Sequence, residues 1–163
     1  MPIVYLGFGS NAGNRIGNIK KALRSVSRLR ATKILGNSSY YLTSPVGPRQ
    51  RDFVNSAAKV RTALPPGRLL PALKEIEKKL GRKKTVKWGP RSIDIDILFY
   101  GRKRVFSRKL VVPHGELRKR LFVLEPLVEI APYLKHPETG KTAAAMLKLL
   151  RLTSPNQRIR IIK

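Results

Sequence analysis

Three observations predict an α+β sandwich, a mainly antiparallel sheet with helices packed on it. Apolar strand-like runs and helix-like periodic runs follow one another in the order β-α-β-β-α-β, with a helical region after them. The segments 33–42 and 53–62 both read as strands with no helix between them, which argues against a fully parallel sheet. The 163 residues, 42% of them hydrophobic, suffice for one core; no repeat or long linker divides them, so residues 1–163 read as a single domain. A split βαβ, ferredoxin-like arrangement fits that order best.

Each element has its own signal. Residues 2–8 form an apolar run that predicts a buried strand, followed by the loop Gly9-Ser10-Asn11-Ala12-Gly13-Asn14. Asn14 is placed to cap a helix over 15–30, where Ile16, Ile19, Leu23, Val26 and Leu29 recur at helical spacing. A strand is expected over 33–42, a loop over 43–51 and a strand over 53–62. Leu69, Leu70, Leu73, Ile76 and Leu80 predict a second helix that stops at Gly81, with Pro71 marking its first turn or a kink. Residues 82–91 form a basic loop. The run 92–100 alternates cleanly and predicts a strand. Residues 117–130 are expected to be helical and broken at Pro126, 142–151 a short helix, and 157–162 a last strand.

Charge is the loudest compositional feature. Thirty-five Lys plus Arg face nine Asp plus Glu, a net charge of +26. Nine acids can neutralise at most nine bases, so an ion-paired surface is excluded. Binding of nucleic acid, binding of small polyanions, and a surface bias unrelated to function all remain open. The absence of cysteine removes disulfides, thiolate metal sites and cysteine nucleophiles. The sequence contains no membrane-span pattern and no recognisable signal peptide, so a cytoplasmic protein is expected.

The scarce acids are more informative. In the strand 93–99, Ile93, Ile95, Ile97 and Phe99 face one side while Asp94 and Asp96 face the other. Their Cα atoms would lie roughly 6.6 Å apart, close enough for two carboxylates to converge on a hard cation such as Mg²⁺. A polar solvent face is the competing reading. Asp is a poor strand former, and like charges on one face repel unless a cation compensates, which weighs against it. Arg82, Lys83, Lys84, Lys87 and Arg91 make a basic loop just before this pair that offers phosphate-binding donors, although a solvated basic loop would look the same. Phe53 and Asn55 share a strand face and could stack on and bond a flat heterocycle; a core role for Phe53 is the alternative. His114 could contact phosphate or be structural, and His136 reads as surface loop. The Gly-rich stretch 7–15 is neither a P-loop nor a dinucleotide fingerprint.

Taken together, these residues resemble the 6-hydroxymethyl-7,8-dihydropterin pyrophosphokinases of folate biosynthesis. The resemblance runs from Leu6-Gly7-Phe8-Gly9-Ser10-Asn11 through Tyr41–Gly47, Gln50, Asp52-Phe53-Val54-Asn55, Ile76-Glu77 and Leu80-Gly81-Arg82. Its most specific stretch is Lys87-Trp88-Gly89-Pro90-Arg91-Ser92-Ile93-Asp94-Ile95-Asp96-Ile97-Leu98. Val112-Pro113-His114, Arg120–Leu124 and Ile130-Ala131-Pro132 complete it.

The resemblance implies transfer of the β,γ-pyrophosphate of ATP to the hydroxymethyl group of a dihydropterin, leaving AMP. It implies that Asp94 and Asp96 hold two Mg²⁺ ions and that Arg82 and Arg91 bind phosphate in the transition state. Glu77, Lys84, Trp88, His114 and Arg120 match nucleotide-contacting positions. Phe53 and Phe122 match an aromatic pair that sandwiches the pterin, Asn55 its amide partner, and Thr43, Ser44 and Val46 the loop along its edge. Lys84 stands where a second Arg is frequent, and Gly115 where a larger side chain is common. The expected partners are these two small molecules, with no membrane, only non-specific electrostatic binding of nucleic acid, and a monomeric state. A basic nucleic-acid-binding module on the same sandwich is the rival reading, and a catalytically inactive relative is a third.

Overall fold

The computed structural model describes residues 1–45, 47–82 and 90–162. Among these, six strands form one sheet: β1 (Ile3–Ser10), β2 (Thr32–Asn37), β3 (Tyr40–Thr43), β4 (Phe53–Thr62), β5 (Asp94–Tyr100) and, last in the chain, the strand Ile159–Ile162. A two-stranded ribbon, β6 (Val105–Phe106) and β7 (Val111–Val112), precedes that last strand, which is therefore β8. The sheet order is β5-β1-β4-β3-β8, with β2 also on β4, and every pairing is antiparallel. The ribbon has no signal in the sequence reading.

The expected strand 33–42 is two strands. β2 pairs with the far half of β4 and β3 with its near half, so they run along one neighbour with a break at Ser38. Ser38 causes the break chemically: its N–H donates to the Ala57 carbonyl, and its Oγ accepts from the Ala57 N–H at 2.9 Å. A side chain has replaced a rung of the ladder.

Helices cover both faces. On one side α1 (Arg15–Ser27) and α2 (Pro66–Lys79) bury Ile19, Ala22, Val26, Leu69, Leu73 and Ile76 against Val4, Leu6 and Phe8 of β1 and Ile95 and Ile97 of β5. Asn14 caps α1 as expected, its side chain accepting from Gly17 N at 2.9 Å. Gly81, at φ +90°, ends α2 in the left-handed region that favours glycine. Helix α2 starts at Pro66, so Pro71 lies inside it rather than in its first turn. Pro71 has no N–H to give the Gly67 carbonyl, and the exposed Gly67 leaves that carbonyl to solvent.

On the other side α3 (Leu121–Ile130) and α4 (Ala143–Thr153) pack Leu124, Leu127, Met146 and Leu150 against Tyr5 and Phe99. The break expected at Pro126 falls earlier. A single 3₁₀ turn, Leu117–Lys119, ends at Arg120, whose extended backbone starts α3, and Pro126 sits within the helix. His136 is not a surface residue. It is buried, with its ring edge-on to Phe99 at 6.0 Å between centroids.

Candidate active site

The site begins with an absence of side chains on the central strand. Register places Gly9 of β1 between Asn55 of β4 and Asp94 of β5, and Gly7 opposite Asp96. Directly opposed residues share a sheet face, so the two glycines form the floor of a trough. Phe53 and Asn55 stand on one bank, and Asp94 and Asp96 on the other. The start of α3 roofs it with Arg120, Phe122 and Val123. The result is a cleft, open to solvent, with apolar and aromatic walls and a few convergent polar groups, the make-up of a small-molecule site. The alternation of β5 holds as far as Ile97: Ile93, Ile95 and Ile97 are buried on one side while the two aspartates face the cleft. Phe99 does not share the isoleucine face as expected; a register shift against Tyr5 and Leu6 turns it into the core under α3 and α4 and puts Tyr100 on the isoleucine side.

A second recess of about 500 Å³ lies beyond, lined by Leu70, Lys74, Lys109, His114 and Gly115 among others. Asp96 lines both spaces and stands where they meet, with Asp94 beside it in the first. Asp94 is flanked by two guanidiniums, with Arg82 on Oδ1 and Arg91 on Oδ2, each at 3.3 Å. Burial, and after it the neighbouring Asp94 carboxylate, push Asp96 up to about 7. Its side chain keeps 38% of its surface exposed, so solvent tempers the burial part of that push.

The donor set fits magnesium. Among the described residues no group of three or more metal-ligating side chains gathers. Two hard carboxylates, one of them with its pKa raised by burial and by the other's charge, suit an ion that takes its other ligands from water and phosphate.

The pterin-side candidates come together as expected. Asn55 donates from Nδ2 to the Thr43 hydroxyl at 2.7 Å, which turns Oδ1 towards the trough above Gly9. Thr43 is therefore a buried orienting group, while the exposed Ser44 lines the cleft. Phe53 and Phe122 are both half-buried wall residues, and the Arg120 guanidinium lies 5.4 Å from the Phe122 ring centre. His114 lies with its Nε2 4.0 Å from Asp96. Its Nδ1 accepts from Glu116 N at 3.2 Å, which leaves the ring proton on Nε2. Burial, followed by Arg120, pushes its pKa down, so the ring is neutral at pH 7. Val46, Lys84 and Trp88 lie outside the described residues.

Glu77 differs from its expected position. It is 1% exposed and turned inward, where Oε2 accepts from Ile95 N at 2.9 Å and from Arg82 at 2.9 Å. Oε1 has the Lys74 ammonium at 3.2 Å but no hydrogen bond. Burial raises its pKa above the usual carboxylate range. Glu77 reaches the cleft through Arg82 and not by itself. Two further residues were not singled out as site groups from sequence, Asn11 and Gln50. Asn11 Nδ2 donates to Gln50 Oε1 at 2.8 Å. Their only signal was membership of the motifs that carry the resemblance.

Guanidiniums gathered on Asp94 of the carboxylate pair, next to an aromatic-walled slot, define a transferase of phosphate-type groups to a flat acceptor. The model of the 7,8-dihydro-6-hydroxymethylpterin-pyrophosphokinase family matches residues 5–132. The 2-amino-4-hydroxy-6-hydroxymethyldihydropteridine pyrophosphokinase of Aquifex aeolicus is 45% identical over 139 residues, 84% of this chain and 85% of that protein. The folic acid synthesis protein fol1 of Pneumocystis carinii is 45% identical over 143 residues, which is 87% of this chain but 19% of the fungal protein. A crystal structure of a Plasmodium falciparum HPPK-DHPS triple mutant superposes with a TM-score of 0.74 at 17% identity, over 94% of this chain and 45% of that one, and so shares the fold. The chain belongs to the 7,8-dihydro-6-hydroxymethylpterin-pyrophosphokinase family. The family's activity is ATP-dependent pyrophosphate transfer to 6-hydroxymethyl-7,8-dihydropterin in folate biosynthesis. No described helix is long and apolar enough to cross a membrane.

Proposed function

We propose that this chain carries out its family's reaction at the junction of the two recesses, with the pterin in the aromatic-walled trough and ATP in the recess beside His114. The observation that carries this reading is that Asp96 lines both spaces. The pterin hydroxymethyl oxygen attacks the β-phosphorus of ATP, the α–β bridge breaks, and AMP leaves while the hydroxyl proton is released.

Asp94 and Asp96 would hold magnesium, which when bound neutralises charge on the phosphates. Arg82 and Arg91, which sit on Asp94, turn to the phosphates, whose greater charge and bidentate oxygens outcompete one carboxylate. Glu77 keeps Arg82 at the site by its hydrogen bond. Phe53 and Phe122 stack on the pterin faces, Asn55 bonds its edge with an oxygen oriented by Thr43, and Ser44 runs beside it. Neutral His114 donates from Nε2, and Arg120, Lys84 and Trp88 complete the nucleotide contacts. Positioning and charge neutralisation supply most of the rate in such transfers, so a strong protein base is not needed. The enzyme acts as a monomeric single domain in the cytoplasm, where MgATP is supplied.

Incubation with MgATP and 6-hydroxymethyl-7,8-dihydropterin tests the reading directly. Pterin-dependent formation of AMP is expected. ADP as the nucleotide product, or no pterin-dependent turnover, overturns it.

A further inference from the structure

Between the end of β1 and the start of α1, one buried side chain joins two parts of the site that are far apart in sequence. Asn11 is 2% exposed. Its Oδ1 accepts from the Arg91 N–H at 2.7 Å, and its own N–H donates to the Arg91 carbonyl at 3.0 Å. Both backbone polar groups of Arg91 are therefore held by this one residue. The other half of the amide faces the opposite way, where Nδ2 donates to Gln50 Oε1 at 2.8 Å and to the Arg51 carbonyl at 3.1 Å. The orientation is fixed by its partners. A flipped amide would set NH₂ against an N–H and oxygen against two acceptors.

Neighbouring bonds reinforce both directions. Asn18 Nδ2 donates to the Ser92 carbonyl at 3.0 Å, Arg15 to the Asp52 carbonyl at 2.9 Å, and Arg51 to the Gly13 carbonyl at 2.9 Å. Arg91 carries a guanidinium onto Asp94 at the phosphate side. Residues 50–52 lead directly into Phe53 and Asn55 of the pterin trough.

We propose that Asn11 is a positioning residue that couples the pterin side of the cleft to Arg91 on the phosphate side. The proposal rests on the pyrophosphokinase reading above. A segment fixed by one substrate presents Asn11 with its bonds already aligned, so the second substrate has less ordering to do. That makes each substrate raise the affinity for the other by the same factor.

The test uses wild type, Asn11→Ala and Asn11→Asp. The dissociation constant of 6-hydroxymethyl-7,8-dihydropterin is measured by calorimetry with and without Mg²⁺ and α,β-methylene-ATP, alongside AMP formation and thermal midpoints. In wild type the analogue is expected to tighten pterin binding about ten-fold or more, within the range of measured couplings between sites. In Asn11→Ala that factor is expected to fall below about three, with kcat lowered about ten-fold from the loss of the bonds on Arg91. Asn11→Asp keeps the acceptor for Arg91 N but sets an oxygen against the Arg51 carbonyl, so the coupling factor is expected to fall at least three-fold there too.

A folded Asn11→Ala with wild-type coupling overturns the proposal. So does one that weakens both substrates equally with the factor unchanged, because that is the signature of a merely structural role. If Asn11→Ala does not fold, Asn11→Asp decides the matter, and wild-type coupling in it overturns the proposal. A wild type that makes AMP while binding the two ligands independently overturns this inference alone. A wild type that makes no AMP overturns the functional reading first.

Discussion

Gly9→Ala probes the trough most directly. A Cβ at Gly9 would lie 2.9 Å from Asn55 Oδ1 and 3.7 Å from Phe53 Cδ1. Ordinary contact starts near 3.4 Å, so the amide must retreat by about half an ångström. It has little freedom to do so, because Asn55 is 6% exposed and its Nδ2 is held by Thr43 at 2.7 Å. Overpacking of this size costs about 1–3 kcal/mol, which for a chain of this length lowers Tm by roughly 3–9 °C. Displacing the acceptor also removes one pterin hydrogen bond worth about 1–1.5 kcal/mol, so KM for the pterin should rise about ten-fold. Nucleotide affinity should stay near wild type, because the new methyl group faces the pterin trough and not the second recess. The assay is initial-rate AMP formation with pterin varied at saturating MgATP, beside thermal denaturation. Gly36→Ala, with no atom within 4 Å of its new Cβ, serves as control. An unchanged pterin KM in Gly9→Ala would refute the proposed geometry of the trough.

Further expectations follow from the charged groups and the aromatic walls. Asp96→Asn should abolish metal-dependent AMP formation, and its effect on ligand-free stability should vary with pH. Folded Asp96 titrates at about 7 and the unfolded residue at the ordinary aspartate value of 3.8, so its ionisation costs nothing below that value. The cost grows as pH rises through this window and levels off above 7, so the Tm of Asp96→Asn minus that of wild type should widen from pH 4 to 7. A difference independent of pH would contradict the raised titration. Glu77→Ala should destabilise the protein by about 3 kcal/mol, because it strands the Ile95 N–H in the core and frees Arg82, whereas Glu77→Gln keeps the acceptor and should cost less. Urea denaturation of the two variants compares them. Phe122→Ala removes a wall of the slot and the ring under Arg120, so pterin KM should rise about ten-fold with a small change in kcat, measured by the same AMP assay.

Most of what could be read from sequence was local in origin. The cleft-side placement of Asp94 and Asp96 follows from period-two alternation alone, whereas Phe99 leaves the isoleucine face because the register against Tyr5 and Leu6 shifts. The Asn14 cap and the Gly81 stop follow from side-chain and backbone chemistry within one helical turn. Misplaced features had causes outside the local window. The break at Ser38 needs Ala57 as its partner, and the break at Arg120 reflects the 3₁₀ turn packing beneath it, which outweighs the proline signal at 126. His136 was read as exposed because Phe99, against whose ring it packs, is far away in sequence. Glu77 was expected at the nucleotide because its type and motif suit a polar contact, yet its burial depends on the Ile95 amide 18 residues away.

The sequence by itself determined the alternation of strands and helices, the carboxylate pair on one face of a strand, and the basic and aromatic residues able to serve it. Tertiary structure decided which groups face one another. It set two side-chain-free glycines between Asn55 and the aspartates, and turned Thr43 into the residue that aims Asn55. It sank Glu77 behind Arg82 and ran the two halves of the Asn11 amide to opposite sides of the cleft. The physical reason is range. Side-chain periodicity is a property of a few consecutive residues, whereas burial, paired hydrogen bonds and shifted titration depend on partners that only the folded chain brings within about 3 Å.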